Sequence, residues 1–546
     1  MREYVVSLNK DVDYDSFWNE IESISATDGF IPSRRVEIVN NRNGSLRSCH
    51  YALTEEEASI LKDDPRVFSV EIPPEQRTDI QLGFTTTQIG NFNKTTSPIG
   101  DNINWGLIRH SFNDNIYRLS ISTSLNYNYT NDGTGVDVVI MDSGLEINHP
   151  EFTDNQGASR VQQIDWFAAA QNVIPGSQSV NFYRDYDGHG THVAGITAGK
   201  TYGWAKNSRI YSLKINGLEG TGDTGNGISI TNCFDLVKLW HTNKPIDPIT
   251  GIKRPTVVNM SFGYSTQYVS IIGGSYRGTT WVGANRIQEY GMTGEWDGSY
   301  YRHPVRVSSV DVDIEELIDA GVTVCISAGN NYTKIDIPNG SDYNNYYNRN
   351  TGGQIYYNRG MSPYSDRAII VGSLDSVAQT ETKDKKSSFS NSGPGIDIFA
   401  AGSNIMSSCS NITSFGSYSS QYYLNSNFKQ ANISGTSMAS PQIAGQVALY
   451  LQDNKSATPS VVKQWLLSKA TSSVYKTSSD NDYTNFISNW GGDINASYIS
   501  FNDNKILKGY GLNITNMRLF KTSDFMYTSD SDQIKTDNNL ITTDVM

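Results

Sequence analysis

The spacing of apolar and polar positions divides the chain into stretches of different character. In the first 75 residues the apolar runs are short. Residues 4–8, 35–39, 48–53 and 67–72 read as strands, and residues 14–24 carry apolar side chains at helical spacing. Thr54-Glu55-Glu56-Glu57 has the form of a capping box that opens a second helix through Leu61. The order is β-α-β-β-α-β, a small α+β unit of the split βαβ type. From about residue 103 the apolar runs become nearly continuous, at 136–141, 210–215, 256–260, 322–327 and 368–371. Helical periods lie between them, for example at 233–240 and at 314–320, the latter stopped by Gly321. Strands that are apolar on both faces and alternate with helices predict an α/β fold with a doubly wound, mainly parallel sheet. Such a sheet carries its active site beyond the carboxyl ends of its strands.

Three other stretches lack a clear period. Residues 76–102 are polar and read as a linker. Residues 264–312, rich in Tyr, Gly and Ser, read as an insertion. The expected organisation is therefore 1–75, a linker at 76–102, a main domain at 103–474, and a polar C-terminal extension at 475–546. Short apolar pieces of that extension, such as 517–520, read as docking strands.

Charge and composition narrow the function. A formal net charge of -13 opposes phosphate backbones, so no nucleic-acid partner is expected. No run of 18 apolar residues exists, so no membrane-spanning segment is expected. The start, Met1-Arg2-Glu3-Tyr4, leads into Asn9, Lys10 and Asp11 rather than a signal-peptide core. An intracellular protein is expected, or a virion-associated one if virus-encoded. Cys49, Cys233, Cys325 and Cys409 share no close spacing, which argues against a zinc knuckle, a redox pair or a disulfide framework.

Four segments carry candidate chemistry. Val139-Ile140-Met141-Asp142-Ser143-Gly144 places a carboxylate directly after an apolar strand, though an isolated Asp there is often only a cap or turn residue. Asp187-Gly188-His189-Gly190-Thr191-His192 sets an imidazole between two glycines at a helix start. Its competing reading, a His189/His192 metal pair, lacks a nearby third ligand, so no metal is assigned. Ser434-Gly435-Thr436-Ser437-Met438-Ala439-Ser440-Pro441 puts a serine at a helix N-terminus, where serines also serve as caps. Pro441 is tolerated there if it falls in the first turn. Ser327-Ala328-Gly329-Asn330 ends a strand with an amide able to donate to an oxyanion.

Taken together, in the order Asp…His…Asn…Ser, these segments resemble the subtilisin family of serine proteases. Thr201-Tyr202-Gly203-Trp204-Ala205-Lys206-Asn207 resembles its proteinase K branch. The resemblance covers roughly residues 103–470, and residues 1–75 are similar to the inhibitory propeptide that precedes many members. It implies a serine endopeptidase with Asp142, His189 and Ser437 as triad and Asn330 in the oxyanion hole. Substrate edges are implied at Gly220-Thr221-Gly222 and Ser261-Phe262-Gly263. No cofactor is implied; a structural calcium is left open, with no ligand residues assigned. The implied partners are protein or peptide substrates and the chain's own propeptide, cut between about 73 and 102. With His189 as general base at an ordinary imidazole pKa, activity is expected to fall below about pH 6.5. Gln442 stands where many relatives carry His, and a calcium-binding loop found in some relatives is missing before Tyr211. The competing readings are an assembly protein locked by its propeptide, an esterase using the same triad, and a binding module without chemistry.

Overall fold

Strand β1 (Asp137–Asp142) is buried along its whole length, and its side chains divide by parity. Val138 and Ile140 enter one hydrophobic core, Val139 and Met141 another. Successive strand residues point to opposite faces, so this pattern needs a sheet covered on both sides. The sheet is completed by β2 (Arg209–Lys214), β3 (Thr256–Met260), β4 (Thr323–Ser327), β5 (Ile369–Leu374) and β6 (Ile398–Ala401). Its order is β6-β5-β4-β3-β1-β2, with every pairing parallel. Helices α1 (His189–Ala198), α4 (Thr436–Asp453) and α5 (Pro459–Lys469) contribute Val193, Ile196, Ile443, Val447 and Val462 to one core. Helices α2 (Ile230–Asn243) and α3 (Ser308–Asp319) contribute Phe234, Val237, Ile314 and Leu317 to the other.

After β2 the chain crosses to the far side of β1 to form β3. The sheet order thus reverses between β1 and β3, the place where doubly wound sheets open a crevice at their carboxyl ends.

This is a computed structural model, and it describes residues 1–9, 12–23, 34, 36–40, 48–73, 86–90, 104–110, 125–268, 271–283, 290–292, 295–296, 301–350, 353–376, 386–472, 497–499, 526–527, 533–536 and 539–542. Among them, no helix is long and apolar enough to cross a membrane. The chain divides into two compact units, Met1–Leu82 and Gly83–Met546. In the first, the strands order as Glu37–Asn40, Ser48–Leu53, Arg2–Leu8 and Val67–Glu71, all antiparallel. Helices Tyr14–Glu22 and Glu55–Asp63 bury Phe17, Ile21, Ala58 and Leu61 in the same core as Val6, Tyr51 and Leu53. The Thr54 capping box forms as read, with Glu57 Oε2 accepting from Thr54 N at 2.8 Å.

Three expectations change in the second unit. The linker stretch contains a strand, Thr86–Gly90, antiparallel to Leu125–Tyr129. Residues 264–312 hide their order because they hold short strands followed by a helix start. Ser265–Tyr268, Ile271–Tyr276, Thr279–Val282, Glu295–Trp296 and Tyr301–Pro304 precede α3, which begins at Ser308. Ile271–Tyr276 pairs with Tyr346–Arg349 over a small core of Ile271, Trp281, Met292, Tyr347 and Tyr357. The third concerns Pro441. It is the sixth residue of α4, beyond the first turn, so it removes one interior hydrogen bond. The apolar stretch 517–520 lies outside the described residues.

Candidate active site

Asp142 is the last residue of β1 and is buried. Directly after it the chain turns at Gly144, where φ is +129° and any side chain would meet the Arg184 carbonyl oxygen within 2.2 Å. Only glycine fits that turn. His189 begins α1. The glycines beside it are required by close packing rather than by open space: a methyl on Gly188 would meet Thr413 Oγ1, and one on Gly190 would meet the Gly144 carbonyl.

The two elements meet in one hydrogen bond. His189 Nδ1 donates to Asp142 Oδ1 at 2.8 Å, and the same oxygen accepts from Ser143 N at 2.8 Å. That bond assigns the Nδ1–H tautomer and leaves Nε2 as the proton acceptor. Burial alone would depress the His189 pKa. The Asp142 charge and hydrogen bond, with the nearby Asp187 and Asp185, outweigh it and raise the value to about 9.

Ser437 is the second residue of α4, after Thr436. Its hydroxyl donates to the Ser261 carbonyl at 3.0 Å, and among the described residues no hydrogen bond joins it to His189. Pro441, four residues on, cannot bond the Ser437 carbonyl. The Ser261 hydroxyl takes that acceptor instead, at 2.9 Å. Ser261 follows β3, and its Oγ also accepts from Asn259 Nδ2 at 2.9 Å, which ties the nucleophile candidate to the strand end.

Asn330 lies three residues beyond β4. Its Oδ1 accepts from Thr436 N at 2.9 Å and Thr436 Oγ1 at 2.8 Å. Because the oxygen is held this way, the amide nitrogen faces away from Thr436, and among the described residues it makes no hydrogen bond. Within α4's first turn, Thr436 N is thus taken by Asn330 and Met438 N by the Gly435 carbonyl at 3.0 Å. The Ser437 N–H is left without an intrahelical partner, as helix starts require. A methyl placed on Gly435 would lie 3.4 Å from Asn330 Nδ2 and 3.5 Å from Ser437 N. The two donors therefore border one small open volume, at a helix end that favours negative charge.

The remaining candidates are less regular. Ser261 is buried, Phe262 half-buried and Gly263 exposed. Gly220 and Gly222 both have positive φ, +86° and +94°, and flank exposed Thr221 in a turn. The Glu219 carboxylate fastens that turn by accepting from the N–H groups of Gly217, Gly225 and Gly227. His192 donates Nε2–H to the carbonyls of Ile405 and Ala431 at 3.1 and 3.0 Å, and burial pushes its pKa down to about 3. With Nε2 so engaged it is a structural donor, not a metal ligand. Among the described residues no cluster of three or more His, Cys, Asp or Glu side chains could hold a metal ion. Sequence reading missed Asp185, Ser143 and Thr436, which connect the site. Asp185 stands only four residues before His189, the single signal that could have marked it.

Comparison with known proteins places the chain in a family. The model of the subtilase family matches residues 133–491. An extracellular serine proteinase of Thermus sp. (strain Rt41A) is 27% identical over 432 residues, covering 79% of this chain and 73% of the relative. Proteinase R of Parengyodontium album is 29% identical over 360 residues, covering 66% of this chain and 62% of the relative. Among solved structures, a cold adapted subtilisin-like serine proteinase matches with 26% identity and a TM-score of 0.41, covering 70% of this chain and 96% of that one. With a family model spanning well over half of its length and a parallel sheet of the matching α/β class, the chain belongs to the subtilase family and is a serine endopeptidase.

Proposed function

We propose that Ser437 is the nucleophile, His189 its general base and acid, and Asp142 the carboxylate that orients His189. The observation that carries this reading is the 2.8 Å bond from His189 Nδ1 to the buried Asp142, which leaves Nε2 as the acceptor. In this reading the Ser437 hydroxyl leaves the Ser261 carbonyl, to which it donates at 3.0 Å, and donates to Nε2 instead. Nε2 takes the hydroxyl proton as Oγ attacks the peptide carbonyl. The carbonyl oxygen, now negative, enters the volume between Asn330 Nδ2 and Ser437 N. His189 returns the proton to the leaving amine, and water then hydrolyses the acyl-enzyme by the same steps.

Peptides bind extended, with Ser261, Phe262 and Gly263 as one main-chain edge. Gly220, Thr221 and Gly222 contribute individual backbone groups from their turn. Main-chain pairing reads little side-chain identity, so broad specificity follows. Residues 1–75 act as a propeptide that blocks the site until cut between about 73 and 102. No metal or cofactor takes part in these steps.

Labelling with a fluorophosphonate tests the nucleophile. Wild-type protein should label and hydrolyse casein, and Ser437→Ala should do neither. Labelling that persists in Ser437→Ala refutes the assignment. N-terminal sequencing of fully active protein tests the propeptide: retention of Met1 refutes self-processing.

A further inference from the structure

We propose that Asp185 is a positioning residue for this site: its buried carboxylate fastens the turn after β1, which follows Asp142, to the first turn of α1, which carries His189. The inference rests on the triad reading above.

Asp185 Oδ1 accepts from Ser143 Oγ at 2.9 Å and from Gly188 N at 2.8 Å. Its Oδ2 accepts from Thr191 N at 2.9 Å and Thr191 Oγ1 at 2.5 Å. Ser143 is the neighbour of Asp142, and Gly188 is the neighbour of His189. Ser143 Oγ in turn accepts from Gly190 N, on the other side of His189, at 2.9 Å. The residues beside the two partners of the 2.8 Å bond are therefore stitched together through one carboxylate.

The local chemistry explains why an acid stands here. α1 is capped by Gly188, which has no side chain to satisfy the helix's first N–H groups. Asp185 supplies the acceptors instead, at the helix end where negative charge is favoured. Burial pushes the Asp185 pKa up, while hydrogen bonds from Thr191, Gly188 and Ser143 oppose that shift. Two oxygens meet four donors, which a carboxylate does when ionised and an amide does not, because asparagine's nitrogen would face donors. The segment itself is held: Ser410 Oγ donates to the Asp185 carbonyl at 2.6 Å and Lys214 Nζ to the Arg184 carbonyl at 2.7 Å. An acceptor mounted this rigidly fixes its donors in place.

Asp185 also acts through charge. His189 is faced by Asp142 from β1 and by Asp187 and Asp185 from its own loop, with His192 further along α1. Glu146, beyond β1, lies near Asp185. Removing the Asp185 charge makes the imidazolium less stable and moves the acid limb of the pH profile to lower pH. A lengthened Asp142–His189 bond would move the limb the same way, so Ser143→Ala, which loosens the same turn but keeps the Asp185 charge, is the control.

Asp185→Asn and Ser143→Ala, made in the full chain, separate these effects. With a peptide nitroanilide, both variants should lose kcat by about 10- to 100-fold with KM within about twofold, the scale of a small misplacement of catalytic groups. The acid limb of kcat/KM should move to lower pH in Asp185→Asn and stay in Ser143→Ala, which keeps the charge. Wild-type kcat in both variants, or an unmoved or raised limb in Asp185→Asn, overturns the proposal. If Asp185→Asn does not fold, Ser143→Ala decides alone, and wild-type turnover there overturns it. Failure of the triad reading would show separately, as labelling and activity surviving in Ser437→Ala with Asp185 intact.

Discussion

The open volume beside Gly435 offers a test that separates catalysis from folding. Gly435 has φ of 166°, extended backbone that any residue adopts. A methyl there meets its nearest neighbours, Asn330 Nδ2, Ser437 N and Met438 Sδ, at 3.4, 3.5 and 3.6 Å, ordinary contact distances. Gly435→Ala should therefore change stability by no more than about 0.5 kcal/mol, as expected of a strain-free substitution. An oxyanion, however, needs to sit about 2.7–3.1 Å from both nitrogens. A methyl bordering the same two donors at 3.4 and 3.5 Å narrows the space an oxyanion between them would enter, so both hydrogen bonds should lengthen. Loss of one such donor costs about 10²–10³ in turnover, roughly 3–4 kcal/mol, and Gly435→Ala should lose at least that much. Asn330→Ala should fall in the same 10²–10³ range, and the double variant should be little worse than the worse single one, because both changes act on one interaction. Steady-state kcat and KM on a peptide nitroanilide measure the effect. Thermal unfolding, in a Ser437→Ala background to prevent self-digestion, measures stability. Gly435→Ala turnover within about threefold of wild type, or losses that multiply in the double variant, would refute this placement of the oxyanion.

Other consequences follow from the same coordinates. The Asp142 charge and hydrogen bond raise the His189 pKa to about 9, so kcat/KM should keep rising above pH 7. This replaces the limb near 6.5 expected from an unperturbed histidine, and a wild-type limb at 6.5 would contradict it. Because the folded value lies above the unfolded 6.5, the stability His189 contributes is complete below pH 6.5 and is lost as pH rises through about 9. Asp142→Asn should pull the limb down toward or below 6.5 and cut kcat by about 10⁴, the scale for a triad acid that sets the tautomer; an unshifted limb would sink the orienting role. His192, held near a pKa of 3, should show a proton NMR signal that does not move between pH 8 and 5, whereas a titration midpoint near 6.5 would contradict its buried donor role. Gly445→Ala should destabilise by about 1–3 kcal/mol, since its methyl would lie 2.6 Å from Trp204 Cβ and 2.8 Å from the Thr197 carbonyl where α4 packs on α1. An unchanged urea midpoint would show that this helix contact is looser than it looks.

Much of this protein can be read from its sequence. The parity of Val138, Val139, Ile140 and Met141 already requires a sheet covered on both faces, because strand side chains alternate and none of these is polar. The Thr54 capping box and the β-α-β-β-α-β order are local chemistry, decided within a few residues, and both appear as read. The candidate residues Asp142, His189, Asn330 and Ser437 are likewise legible, since each sits in a motif at a strand end or helix start. Four other features depend on contacts between residues far apart in sequence, which no local pattern carries. Pro441 lies one turn deeper than its motif suggested, and the Ser437 carbonyl it frees is satisfied by Ser261, 176 residues away. The strands within 264–304 were invisible because partners such as Tyr346–Arg349 come from a distant segment that supplies the missing hydrophobic face. The His189 pKa depends on three carboxylates gathered around a half-buried ring, a sum that sequence spacing cannot weigh. The role of Asp185 likewise exists only where β1 and α1 are brought side by side, because a hydrogen bond requires proximity in space and not order along the chain.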